Sequence, residues 1–274
     1  MNQISTFTTL KRVLTVAVSA IIAATACSTS PTGRSQLAFM SERDMREMGQ
    51  QAFSQIKAQT PLSRDSQAIA VVRCVSEAIT SRLPADQRGA GWEILVFDDN
   101  AVNAFALPGN KIGVYEGIFR AARNQDQLAA VIGHEVAHVI AEHANERVST
   151  TYATQMGVNV AQAAAGGSGT YSGQLMGLLG AGATVGVILP FNRKQESEAD
   201  IVGLDLMARA GFDPAQSIPL WENMARIGQE KPPEFLSTHP SDETRMAGLR
   251  KKLPEAETLY REAQEKGFQP SCGF

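Results

Sequence analysis

The sequence predicts an α+β domain, predominantly helical, with a small β-sheet beside one central helix. Apolar residues recur at spacings of three and four, as in Ile69, Val72, Val75 and Ile79, which is the period of an amphipathic helix. Strand-like runs rich in β-branched and aromatic residues are few and fall between Trp92 and Tyr115. They precede a long helical region instead of alternating with it, which favours α+β over α/β. The chain has 274 residues, enough for one large domain. With 43% hydrophobic and 19% charged residues it is not a wholly disordered chain. A net charge of −3 argues against a nucleic-acid partner. Three Cys are too few for a disulfide-built scaffold.

Lys11 and Arg12 precede a charge-free run from Val13 to Ala26. That run is short for a bilayer span and suits a signal-peptide core. It ends in Ala24-Thr25-Ala26-Cys27. Small residues before a Cys resemble a lipobox, so residues 1–26 are expected to be a lipoprotein-type signal peptide, with Cys27 lipidated as the first mature residue. Ala24-x-Ala26 also fits ordinary signal-peptidase cleavage, which would release a soluble protein. Residues 27–40, rich in Ser, Thr and Pro, read as a linker, and 41–274 as a single domain. Cys74 and Cys272 remain as two exported thiols. They either pair as a disulfide or stay separate.

Ser41 caps a helix running to about Lys57, and a second helix spans Asp65 to Arg82. Pro84 to Gly91 reads as a loop and Trp92 to Phe97 as a strand. Phe105-Ala106-Leu107 and Lys111-Ile112-Gly113-Val114-Tyr115 flank the turn Pro108-Gly109-Asn110. The second of these strands is expected to be a substrate edge, where an extended peptide adds by main-chain hydrogen bonds. Asn124, with Gln127 in the capping-box position, starts a helix expected to reach about Val148. No charged residue lies between Arg147 and Arg193. The part from Gln174 to Phe191 reads either as a helical hairpin under the site or as one that touches lipid. Helices resume at Lys194–Ala210 and Pro214–Ile227, followed by a Pro-rich loop with Thr238-His239-Pro240 and a charged helical tail.

His134-Glu135-Val136-Ala137-His138 is a HExxH motif inside the Asn124 helix. At this composition its chance count is only about 0.004. Positions i and i+4 lie on one helix face, so both imidazoles can hold one Zn²⁺. Glu135 is placed to reach an attacking water. A third ligand is needed. His143, on a continuous helix, would point away and lie at the surface or behind the ligands. Glu196 and Asp200 are again i and i+4. They suit a zinc ligand and a carboxylate that orients a ligand histidine, or else they are surface acids. Glu198 would face away from Glu196.

HExxH followed by this ExxxD helix resembles the gluzincin peptidases of the HtpX, Oma and CaaX-prenyl-protease type. Asn103-Ala104-Phe105-Ala106-Leu107-Pro108-Gly109 looks like that family's strand and turn before the zinc helix. Thr238-His239-Pro240, with Arg245 beyond, looks like its C-terminal signature. Pro31-Thr32-Gly33-Arg34 with Gln36-Leu37 resembles the periplasmic lipoprotein branch. The resemblance implies a zincin-like metallopeptidase with one Zn²⁺ per chain, held by His134, His138 and Glu196. It implies Glu135 as general base, Asp200 in support, and His239 at the oxyanion or as a resting-state ligand; Arg245 is a further oxyanion candidate. The expected substrates are misfolded or damaged envelope proteins. A chaperone or assembly role for outer-membrane proteins through the same groove is the alternative, with outer-membrane assembly machinery as a partner. The expected location is the periplasm, attached to the outer membrane through Cys27.

Overall fold

The computed structural model describes residues 27–89, 91–164, 191–227, 234–239 and 243–274. Residues 1–26, expected above to be a signal peptide, and the stretch from Gln174 up to residue 190 lie outside the described residues. Two short strands, β1 (Cys27–Thr29) and β2 (Ser35–Leu37), pair antiparallel around a turn in which Gly33 takes φ 85°. Helices α1 (Glu42–Gln59), α2 (Ser66–Thr80) and the single turn α3 (Ala85–Arg88) follow. The strands β3 (Glu93–Phe97), β4 (Ala104–Leu107) and β5 (Lys111–Tyr115) lead through a 3-10 turn to α4 (Gln125–Ile140). Then come α5 (His143–Ala164), α6 (Arg193–Arg209), α7 (Ser217–Ile227), α8 (Glu234–Thr238) and α9 (Glu243–Glu265). Among the described residues no helix is long and apolar enough to cross a membrane.

Local chemistry sets the helix starts. Side chains of Ser41, Asp65, Asn124 and Asn192 each accept from backbone N–H groups of their helix's first turn, a cap worth about 1 kcal/mol. The capping box expected at Asn124 is not reciprocal: Gln127 Oε1 accepts from Arg123 N instead. A full box forms at Asn192 with Gln195.

Helix α4 is buried continuously from Gln127 to His138. Its Leu128, Val131, Ile132 and Val136 join Val72, Val75 and Ile79 of α2, Val96 and Val114 of the sheet, and Met207 of α6 in the main core. Each such aliphatic side chain contributes about 1.5–3 kcal/mol by leaving water. A second, aromatic cluster of Phe53, Phe97 and Phe105 seals α1 to the sheet.

The sheet order is β3-β5-β4, with β3 parallel and β4 antiparallel to β5. The strand Lys111-Ile112-Gly113-Val114-Tyr115 is therefore central. Both its sides are hydrogen-bonded, and it is not the substrate edge expected of it. The outer side of β3 is covered in part by the Leu62–Phe97 bridge. The edge facing the central helix is β4.

Two other expectations change. Residues 27–40 form the β1–β2 hairpin and its exit, packed on the helices: Gln36 Nε2 donates to Ala141 O, and Met40 N to Asn145 Oδ1. The central helix stops at Ile140 instead of reaching Val148, because Glu142 turns left-handed at φ 54°. The C-terminal tail is fastened by a Cys74–Cys272 disulfide, and Cys272 N donates to Gln125 Oε1 at the start of α4.

Candidate metal centre

The site is built where α4 and α6 cross at two glycines. A Cβ on Gly133 would lie 2.8 Å from Gly203 O, and one on Gly203 would lie 2.7 Å from His134 N. Only glycine at both positions permits this approach. It brings Glu196, about two turns from Gly203 along α6, against the two α4 histidines.

His134 and His138 project from one face of α4, their Nε2 atoms 3.1 Å apart. Glu196 lies across from both, Oε2 3.5 Å from His134 Nε2 and Oε1 3.5 Å from His138 Nε2. His239, just after α8, places Nδ1 3.0 Å from Glu196 Oε1 and 3.3 Å from His134 Nε2. One atom from each of these four buried residues lies within 4.8 Å of the others.

That donor set fits a divalent metal. Imidazole nitrogens facing each other at 3.1 and 3.3 Å repel through their lone pairs unless a cation or shared proton lies between them. Three imidazoles and one carboxylate, withdrawn from water, are ligands of the kind metals such as zinc take.

The remaining ring nitrogens are also occupied. His134 Nδ1 lies 3.1 Å from Asp200 Oδ1. Asp200 in turn takes Arg245 Nε and Nη2, each at 2.7 Å. Arg245 Nη1 reaches Glu196 Oε2 at 2.7 Å, and the guanidinium sits over the Trp221 ring. Arg245 thus spends its donors on carboxylates and orients them. Its Nη1 also lies 3.4 Å from the His239 carbonyl oxygen. His138 Nδ1 is 2.8 Å from His143 Nδ1. Phe191 stacks on the His138 ring with centroids 3.7 Å apart and carries the Arg147 guanidinium at 3.7 Å.

Glu135, also buried, lies beside the sheet edge. Its Oε2 accepts from Ala106 N of β4 at 3.2 Å, and its Oε1 lies 3.3 Å from His239 Nε2.

Electrostatics differentiates these groups. Burial works against charge on His134, but the hydrogen bonds to Asp200 and Glu196 outweigh it and push the imidazole up to about 9. Burial, with cationic neighbours in support, holds His138 well below its ordinary value. Burial raises Glu135. For Glu196 and Asp200 burial is the largest single influence, but histidines and Arg245 together overcome it and lower both.

His143 takes the second of the two places expected for it, behind a ligand histidine, and is fully buried; left-handed Glu142 redirects the chain and starts a new helix there. Glu198 does face away from the metal centre, but into the protein. It accepts from His143 Nε2 at 3.2 Å, Thr32 Oγ1 at 2.6 Å and Arg34 Nε at 2.9 Å. The sequence signal for the hairpin that supplies Thr32 and Arg34 was Gly33 in a Thr-Gly-Arg turn. No signal marked Glu142 as the break.

A HExxH helix whose two histidines meet a carboxylate from a second helix, in a mostly helical α+β fold, defines a zincin-like metallopeptidase. Residues 64–253 match the model of peptidase family M48, and the chain belongs to that family. It is 44% identical over 168 residues to the mitochondrial metalloendopeptidase OMA1 of Schizosaccharomyces pombe, covering 61% of this chain and 48% of that protein. It is 31% identical to the Danio rerio mitochondrial metalloendopeptidase OMA1, covering 82% of this chain and 50% of that protein. With the beta-barrel assembly-enhancing protease of Escherichia coli (strain K12) it shares 27% identity, covering 80% of this chain and 46% of that protein. The chain spans about half the length of these relatives.

Proposed function

We propose that this chain is a zinc-dependent endopeptidase of the bacterial cell envelope that hydrolyses peptide bonds of misfolded or damaged envelope proteins. The observation that carries the chemistry is the position of Glu135. Its carboxylate is buried between the converging histidines and the β4 edge, the place a general base must occupy. His134, His138 and Glu196 would hold the zinc. Zinc at such a site supplies Lewis acidity, polarising the scissile carbonyl and activating a water. Glu135 takes the proton of the attacking water and delivers it to the leaving amine. Its pKa, raised by burial, suits a group that must hold a proton between the two steps. Asp200 and Arg245 position His134 and Glu196. His239 would complete the four-donor set while no substrate is bound, or donate to the oxyanion, since catalysis needs an open position.

An extended substrate would lie along β4, where Ala106 N faces Glu135. Main-chain pairing there is largely blind to side chains, which suits unfolded clients. We place the protein in the periplasm, attached to the outer membrane by lipidated Cys27, on the lipobox-like Ala26-Cys27 junction. The similarity to the E. coli beta-barrel assembly-enhancing protease favours a second reading, assistance to β-barrel assembly through the same groove.

Cleavage of casein by wild type and Glu135→Gln tests the mechanism. Loss of a general base is expected to lower kcat by about 10²–10⁴-fold; equal cleavage by both proteins refutes it. Metal analysis should find zinc in the wild type and a loss of it in Glu196→Ala.

A further inference from the structure

We propose that His143, Glu198 and the Thr32–Arg34 turn form a positioning relay that fixes the metal-facing tautomer of His138. The N-terminal hairpin is then part of the metal centre. The inference rests on the reading that His134, His138 and Glu196 hold a metal.

The argument is proton counting along one line of contacts. His138 directs Nε2 into the donor set, so its ring proton must sit on Nδ1. That atom is 2.8 Å from His143 Nδ1. Two ring nitrogens at this distance share one proton, so His143 Nδ1 must be the acceptor. His143 then carries its own proton on Nε2, which points at Glu198 Oε2, 3.2 Å away. A carboxylate only accepts, so its charge sets both tautomers in turn. The opposite arrangement, with His143 Nδ1–H donating to His138 Nδ1, would set the lone pair of His143 Nε2 against the Glu198 carboxylate and put the His138 proton on Nε2, where the metal would sit.

Glu198 is itself held in place. Thr32 donates to Oε1 from its hydroxyl at 2.6 Å and its backbone N at 3.3 Å, and Arg34 Nε donates to Oε2 at 2.9 Å. Arg34 Nη2 also donates to Glu146 Oε2 on α5 at 2.8 Å. His143 and Glu198 are buried, so water does not substitute for a lost partner. The hydrogen bonds from the hairpin, with that from His143, overcome the effect of burial and hold the Glu198 carboxyl down at about 2. Outer partners of this kind fix the ring orientation and basicity of a ligand histidine.

The test is metal affinity of the full chain by competition with a chelator, together with the visible spectrum of the Co²⁺ form and the thermal unfolding of the metal-free form. His143→Ala is expected to weaken Zn²⁺ and Co²⁺ binding about 10–100-fold and to change the Co²⁺ spectrum. His143→Asn restores an acceptor, Oδ1, near the position of Nδ1, and should recover most of that loss. Glu198→Gln, with the same shape and no charge, should weaken binding about 10-fold without lowering the folded fraction. Arg34→Ala should act in the same direction by less. Wild-type affinity and spectrum in His143→Ala would overturn the relay, as would an Asn variant as weak as the Ala one. If His143→Ala does not fold, unaltered affinity in Glu198→Gln overturns it alone. A wild-type chain that binds no metal would instead sink the metal-centre reading, so the two failures are distinguishable.

Discussion

The two histidines of the HExxH helix sit one turn apart and are held by different physics. His134 is backed by charge: Asp200, then Arg245 from α9, with the C-terminal tail beyond tied down by the Cys74–Cys272 bridge. His138 is backed by a neutral ring, then Glu198, then a hairpin held to the helices through polar contacts. The C-terminal clasp therefore contributes to stability as well as to ligand placement. The N-terminal clasp chiefly governs which nitrogen of His138 carries its proton. One protein thus positions two candidate ligands by an ion pair on one side and by tautomer control on the other.

The contrast breaks most sharply at Arg245. Arg245→Met leaves Asp200 and Glu196 as buried carboxylates without their cation. Removing one partner of a buried pair is expected to cost about 3–5 kcal/mol, read as a lower urea midpoint of the metal-free protein. If the N-terminal clasp works through tautomers, Glu198→Gln should cost much less in the same assay. Equal losses would erase the distinction between the two clasps.

The covalent end of the C-terminal clasp comes next. The bridge joins residues 198 apart in sequence, so it restrains a large loop in the unfolded chain. Cys74→Ser with Cys272→Ser should lower stability by about 2–5 kcal/mol. Metal affinity of the folded protein should hold, because the bridge touches neither ligand nor relay. A matching loss of metal affinity would show that the tail also shapes the site.

Proton linkage separates the clasps by direction. His134 in the folded metal-free chain lies at about 9, above its ordinary 6.5. Its contribution is fully present below pH 6.5 and is lost as pH rises through about 9. His143 is pushed down to about 4, burial outweighing Glu198, and Glu198 is lowered to about 2. Their contributions are present above the ordinary values and are lost as pH falls, His143 between 6.5 and about 4 and Glu198 between 4.5 and about 2. Urea midpoints against pH should therefore lose their alkaline decline in Asp200→Asn and part of their acid decline in Glu198→Gln. Identical profiles in both variants would contradict the assignment.

What the sequence revealed follows the same division. His134 with His138, and Glu196 with Asp200, were legible as pairs because helical spacing puts each on a shared face, and the resemblance to the family joined the two pairs and Glu135 into one site. The order of elements was legible from caps and apolar period. The N-terminal clasp was not. Its strands have three residues each, too short to show alternation, and the Ser, Thr and Pro content of the stretch around them reads as a linker. Glu198 was judged by the one site it turns away from. Strand order was equally hidden: β5 inserts between β3 and β4 by tertiary packing, which no local pattern encodes. For His143 the sequence left two places open, the surface or behind the ligands, because nothing in it shows that the helix breaks at Glu142.

That residue provides the smallest and most local test. Glu142 is exposed and takes φ 54°, a conformation costing a non-glycine residue about 1–2 kcal/mol. It lies between the helix that carries His138 and the helix that begins with His143. Glycine accepts this φ freely but has more freedom to lose on folding, about 0.5–1 kcal/mol, so Glu142→Gly should be near neutral or slightly stabilising. A β-branched side chain tolerates the left-handed region worse still, so Glu142→Val should lower stability by about 1–2 kcal/mol. Because the break turns His143 toward His138, Val should also weaken metal binding while Gly does not. If both variants bind metal like wild type and Val unfolds no sooner, the left-handed turn is not what brings His143 to its partner.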